Sequence, residues 1–275
     1  MTDDPIPARL PKPLYLEVLG ASTHLGKTLM ANRLRDAFTD MGVPVTLVRI
    51  ESERVTAVTT DYDVWIPTEH FARAADLPGG VAGVLRPAFL ALQPIAEVGG
   101  CMIVDWAGGL VGHRASMLAA TALGRMLEKR GFETRAFVMT TNHPDRMAEA
   151  REVIEVSAKV APEIPHTLVL NERHGAFDFV EGSMLSKRLS DLLQTQRGKR
   201  VLRMEKIHGD SLGHLAPAGM TLGGLLDQEP DLLAEMIGSD EITVTACLSH
   251  LAAWHQRMGA EVRAVLPFLE EVPGS

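Results

Sequence analysis

Along the chain, short runs of β-branched and other apolar residues alternate with longer stretches in which apolar positions recur at helical spacing. The runs predict strands at 14–19, 45–50, 102–106, 134–140, 167–170 and 200–204. The helical patterns between them fall at 27–41, 86–98, 115–130, 145–160 and 180–194. This alternation predicts an α/β fold: a mainly parallel twisted sheet with right-handed crossovers and helices on both faces. The proline-rich start, residues 1–13, is expected to be a disordered tail, followed by one domain over 14–239 and a C-terminal helical extension over 240–275. In that extension Ile242, Cys247, Leu251, Trp254, Met258, Val262, Val265 and Leu269 approximate one helical face, which packs on the domain itself or on a partner. Trp254 and Met258 are the first interface candidates.

Ligands of such sheets bind beyond the carboxyl ends of the strands. The first strand, Leu-Tyr-Leu-Glu-Val-Leu, runs into Gly20-Ala21-Ser22-Thr23-His24-Leu25-Gly26-Lys27-Thr28, and a helical pattern follows at once. A strand, a glycine-bounded loop ending in Lys-Thr and a helix form the arrangement that wraps the phosphates of a nucleotide. Successive loop N–H groups and the free N–H groups of the helix point into one small volume and hold an anion there. Gly26 permits close backbone approach, Lys27 would reach the terminal phosphates, and Thr28 would offer its hydroxyl to magnesium. Ala21 stands where the usual pattern has its first glycine, with Gly20 one residue earlier. The contact set read here is Gly20, Thr23, His24, Leu25, Gly26, Lys27, Thr28 and Leu29, with ATP and magnesium as ligands. His24 either donates to a phosphate oxygen or faces solvent. No Asn-Lys-x-Asp motif is present to select guanine, which favours adenine.

Four strand ends add candidate chemistry. The second strand runs into Glu51-Ser52-Glu53, whose two carboxylates alternation places on one side, where either would hold a metal-bound water or orient an attacking one. The third ends Asp105-Trp106-Ala107-Gly108-Gly109, an acid positioned to reach the metal before a turn flexible enough to approach a γ-phosphate. Asn142 and Asn171 end the next two strands, where an amide either meets the edge of an adenine ring or caps a turn.

Composition narrows the setting. A chain of 275 residues, 46% hydrophobic, buries enough core for one large α/β domain with or without a helical appendage. Cys101 and Cys247 show no pairing pattern, no secretion signal leads the chain, and no apolar run reaches the roughly 18 residues of a membrane span. A cytoplasmic protein in a reducing compartment is expected. The net charge of −8 argues against whole-surface attraction to nucleic acid. The basic cluster Arg197, Lys199, Arg200, Arg203 and Lys206 either contacts nucleic acid phosphates or simply flanks a strand with solvated charge. The ten histidines form no zinc-binding pair, and Gly-x-Ser-x-Gly is absent.

Taken together, the loop at 20–28, the pair Glu51 and Glu53, the Val-Asp-Trp-Ala-Gly-Gly turn and the Leu-Val-Leu-Asn run resemble the ParA/MinD/CobQ group of P-loop ATPases (the SIMIBI class), in order from about Leu14 to Leu226. The resemblance implies that Asp105 contacts magnesium through water, Gly109 approaches the γ-phosphate, Asn171 contacts adenine, and the segment from Val201 to Leu226 also meets the base. Ser22 stands where that group's loop usually carries an additional lysine reaching across a nucleotide-sandwiched dimer, and Glu51 and Glu53 stand where it usually has aspartates. The loop spacing is similar to that of dethiobiotin synthetase, which however carries a Lys-Pro pair after its second strand, where this chain reads Val48-Arg49-Ile50-Glu51. The stretch from Val55 to Gly100, with Asp61-Tyr62-Asp63-Val64-Trp65 and Glu69-His70-Phe71, looks more like the conjugal-transfer members of the partition and cargo-positioning branch. The implied activity is slow hydrolysis of magnesium ATP by a nucleotide-dependent switch in plasmid or DNA maintenance, transfer or cargo positioning, dimeric when ATP is bound and acting on a protein partner. The alternatives are an ATP-dependent ligase or synthetase and a nucleotide-binding scaffold without turnover.

Overall fold

The strand runs pair into one sheet, in a computed structural model that describes residues 10–52 and 63–266. In chain order the strands are β1 (Leu14–Leu19), β2 (Val45–Glu51), β3 (Val64–Pro67), β4 (Cys101–Asp105), β5 (Glu133–Thr141), β6 (His166–Asn171) and β7 (Leu202–Met204). They lie in the order β3-β2-β4-β1-β5-β6-β7, and every pairing is parallel. β1 is central and buried along its whole length, with Val18 in register with Asp105. A strand covered on both faces has no polar side to show, hence its nearly unbroken apolar run.

The helices are α1 (Lys27–Thr39), α2 (Glu69–Ala72), α3 (Val81–Val84), α4 (Arg86–Val98), α5 (Val111–Thr121), α6 (Leu123–Lys129), α7 (Pro144–Val160), α8 (Met184–Gln194), α9 (Ser211–Leu215), α10 (Leu222–Leu226), α11 (Pro230–Ile237) and α12 (Glu241–Val265). One core holds Leu92 of α4, Met117 of α5 and Met147 of α7, and the other, on the opposite face, holds Met30 and Phe38 of α1 with Leu251 and Trp254 of α12.

The structure departs from the sequence reading at several points. The single helix expected at 115–130 is two, because Ala122 takes a left-handed conformation (φ 48°) between α5 and α6. The helix expected from residue 180 starts after Ser183, whose hydroxyl accepts the Ser186 N–H at 3.1 Å and caps it. The edge strand β3 and the short helices of the 211–237 region carry too few residues to show a period. Leu10, within the expected disordered tail, is buried and donates its N–H to Gly99 O at 3.1 Å. Trp254 and Met258 line the chain's own core and not an interface, with the Trp254 indole donating to Glu205 O at 2.8 Å, since an apolar stripe facing α1 and β7 is already covered. Ile242 points away from that stripe, 83% exposed, and Leu269 lies outside the described residues. Among the described residues no helix is long and apolar enough to cross a membrane, and both cysteines are free and buried.

Candidate functional site

The loop between β1 and α1 turns on two left-handed residues. Gly26 caps α1 with φ 80°, and a Cβ there would lie 2.5 Å from Asn171 Nδ2 and 2.9 Å from Met204 Cε. Backbone conformation and close approach therefore both require glycine. His24 adopts φ 58°, a left-handed conformation uncommon among residues other than glycine. Leu25 is buried and anchors the loop, and Gly20 leaves the room its side chain fills.

Polar side chains converge beside this loop. Lys27 is 7% exposed and donates from Nζ to Ser22 O at 2.6 Å. Burial lowers its pKa, against the opposing pull of Asp105 and Glu51. Thr28 Oγ1 donates to Asp105 Oδ2 at 2.9 Å, and Arg49 Nε approaches the same oxygen at 3.6 Å. Burial pushes the Asp105 carboxyl up to about 6, although Arg49, Thr28 and Lys27 all favour its charged form. A buried carboxylate next to a hydroxyl is a hard-oxygen donor pair that suits magnesium, which takes one or two protein oxygens and completes its shell with phosphates and water. Among the described residues no group of three or more His, Cys, Asp or Glu could hold a metal without such help.

The turn after β4 closes the other side. A Cβ on Gly108 would sit 2.5 Å from Thr23 N and 2.6 Å from Ser22 C, and Gly109 (φ 84°) donates its N–H to Ala21 O at 2.8 Å. Two backbones thus touch, with no side chain between them. The loop, this turn and the end of β2 enclose a cavity of about 460 Å³ lined by Thr23, His24, Leu25, Gly26, Lys27, Thr28, Glu51, Ser52, Thr68, Asp105, Gly108 and Arg173. A second cavity of about 320 Å³ adjoins it, lined by Gly26, Leu29, Asn171, Arg173, Met204 and residues 205–212 except His208.

Of the residues singled out in the sequence, Gly20 and Gly109 shape the loop and turn without lining either cavity, and Glu53 lies outside the described residues. Asn171 is buried with both ends of its amide engaged, Nδ2 donating to Leu25 O at 2.9 Å and Oδ1 accepting Arg173 N–H at 3.0 Å. It therefore ties the loop to β6. Asn142 donates to His174 O and Gly175 O and caps a turn away from both cavities. Ser22 is held by α7, its Oγ donating to Glu149 Oε2 at 2.6 Å and accepting from Arg146 Nη1. In the basic cluster Arg203 pairs with Glu172 at 2.9 Å and Arg200 with Glu261 at 3.8 Å, while Lys206 lines the second cavity.

Sequence reasoning missed Arg173, Thr68 and Arg49. Arg173 lines both cavities and donates from Nη1 to His24 O at 2.9 Å, a contact with no local signature. Arg49 did carry a signal, a charge inside a buried strand.

No protein-family model matches the chain, and no curated protein matches it. Solved structures similar to it include McdA from Cyanothece, at 11% identity over 86% of this chain and 99% of that one with a TM-score of 0.47. A plasmid partition protein from Borrelia burgdorferi is similar at 12% identity over 71% of this chain and 90% of that one, TM-score 0.44. Cobyrinic acid a,c-diamide synthase from Mycobacterium smegmatis, with bound ADP and magnesium, is similar at 13% identity over 69% of this chain and 83% of that one, TM-score 0.42. The chain's own architecture, a seven-stranded parallel sheet wrapped by helices, is an α/β fold.

Proposed function

We propose that this chain binds ATP with magnesium and hydrolyses it slowly, its nucleotide state switching dimerisation or the binding of a protein partner. The observation that carries this reading is the convergence of Lys27 Nζ, the Thr28–Asp105 pair and the Gly108–Gly109 turn on one loop whose backbone leaves no room for a side chain at Gly108. In this reading the loop amides bind the phosphate oxygens, and Lys27 exchanges Ser22 O for the β- and γ-phosphates. Magnesium held by Thr28 and Asp105 would neutralise charge on those oxygens. Glu51, facing the same cavity, orients the water that attacks the γ-phosphorus as ADP leaves, a role for which Glu53 is the rival. The nucleoside occupies the adjoining cavity, where Asn171 keeps one amide N–H for the base while holding the loop with the other. Plasmid or DNA maintenance, transfer or cargo positioning is the setting implied by the sequence resemblance.

Calorimetric titration with magnesium ATP tests the reading: wild type binds, and Lys27→Ala keeps its fold and loses binding. Retained affinity in Lys27→Ala removes the assignment. Phosphate release from the wild type separates a switch from a scaffold that never turns over, and product formed from a small amine or carboxylate would replace the switch with a ligase.

A further inference from the structure

The central strand carries a carboxylate at its middle. Glu17 is fully buried, and its two oxygens take four donors. Oε1 accepts from Tyr15 Oη at 3.2 Å and from the Trp106 indole Nε1 at 3.1 Å. Oε2 accepts from Arg114 Nε at 3.0 Å and also from Nη2. Arg114, equally buried, donates its remaining nitrogen Nη1 to Ser157 Oγ of α7 at 2.8 Å. An apolar pair of similar volume often serves the stability of a core as well as a buried ion pair, or better. Stability alone is therefore a weak account of a charge placed in β1.

Its partners indicate another. Trp106 follows Asp105 directly, and Arg114 lies in the first turns of α5, so Glu17 holds both flanks of the segment whose tip presses Gly108 and Gly109 onto the phosphate loop. The same α7 that bonds Arg114 through Ser157 holds Ser22 of that loop through Glu149 and Arg146. Loop and turn are thereby referred to one rigid frame. Trp106 N–H also donates to Val18 O at 3.0 Å, which fixes the start of the turn but leaves its far end to Arg114.

We propose that Glu17 is a positioning residue: through Trp106 and Arg114 it fixes the turn carrying Gly108 and Gly109 against the phosphate loop, and so sets turnover. The role in turnover rests on the ATPase reading above. The positioning itself is measurable without nucleotide.

Two variants each cut one tether. Trp106→Phe keeps an aromatic ring, removes the indole N–H and leaves the Glu17–Arg114 pair whole. Glu17→Gln with Arg114→Met removes both charges together, so that no ion is buried alone, and leaves an acceptor for Trp106 and Tyr15. Amide hydrogen exchange at Gly109, whose N–H is bonded to Ala21 O, is expected to quicken at least tenfold in each, with the β1 and β5 amides unchanged. Phosphate release is expected to fall at least tenfold in each, and in Glu17→Gln with Arg114→Met, which touches no residue lining the cavity, affinity for magnesium ATP stays within threefold. Gly109 exchange at the wild-type rate in either folded variant overturns the proposal, and so does wild-type turnover in a variant that binds nucleotide. Should wild type bind no nucleotide, the ATPase reading falls, and exchange at Gly109 still decides whether Glu17 positions the turn.

Discussion

Three glycines within five residues separate steric contact, backbone strain and ordinary helix propensity at the turn. At Gly108 a methyl group would lie 2.5 Å from Thr23 N and 2.6 Å from Ser22 C, against an ordinary contact of at least 3.4 Å. Both obstacles are backbone and cannot rotate away, so Gly108→Ala forces loop and turn apart by close to 0.9 Å. Overpacking of this kind costs about 1–3 kcal/mol of stability. The larger effect falls on chemistry, because a misplacement of about 1 Å can cost roughly a hundredfold in rate. At Gly109 nothing lies within 4 Å, but φ is 84°, so Gly109→Ala meets strain alone, about 1–2 kcal/mol. Gly112 has open space and helical geometry, and Gly112→Ala is neutral or stabilising by up to about 1 kcal/mol. Urea denaturation, calorimetric titration with magnesium ATP and phosphate release are measured on all three. Wild-type turnover in Gly108→Ala, or a Gly112→Ala as impaired as Gly108→Ala, would refute the argument that direct backbone contact builds this site.

Other expectations follow from buried polar groups and packing. Asp105 has its carboxyl raised to about 6 from 3.8, so its contribution to folding is fully present below pH 3.8 and is lost as pH rises through 6. At pH 7.5 without nucleotide, Asp105→Asn is therefore expected to be more stable than wild type, by on the order of 1–3 kcal/mol, while losing magnesium-dependent binding. A less stable Asn variant would contradict this. His166 is held down to about 3 by burial first and then by Arg114 and Lys199, so the unfolded chain takes up a proton below pH 6.5 that the folded chain refuses. Wild type should lose stability relative to His166→Asn by about 1.4 kcal/mol per pH unit as pH falls from 6 to 4, and parallel curves would show that the site is not desolvated. Trp254→Ala, which empties a fully buried site and orphans Glu205 O, should cost about 3–5 kcal/mol in denaturant titration with no change in sedimentation. A shift in oligomeric state with unchanged stability would return Trp254 to an interface.

Much of this architecture is local and was legible in the sequence. Each of the six sequence-read strands and five helices overlaps an element, because apolar spacing reports which residues must leave water, and α4 falls at 86–98 as read. Gly20 to Thr28 was legible as a loop and helix start from its own order, since Gly26 and the Lys-Thr that follows mark where α1 begins. What lay beyond the sequence was everything made by contacts between distant segments. Gly108 marks a turn in any reading, but only the folded chain sets it on Ser22 and Thr23. Asn171 stood in the sequence as a contact for a base, and only the pairing of β6 beside β5 shows that its amide also holds the loop, under Leu25 O. Glu17 passed as one polar residue in an apolar run until folding brought Arg114, 97 residues away, against it. A sequence states which groups must be buried or turned. The choice of neighbour for each buried polar group belongs to the sheet order and helix docking, because hydrogen bonds and ion pairs act over a few ångströms that the chain reaches only when folded.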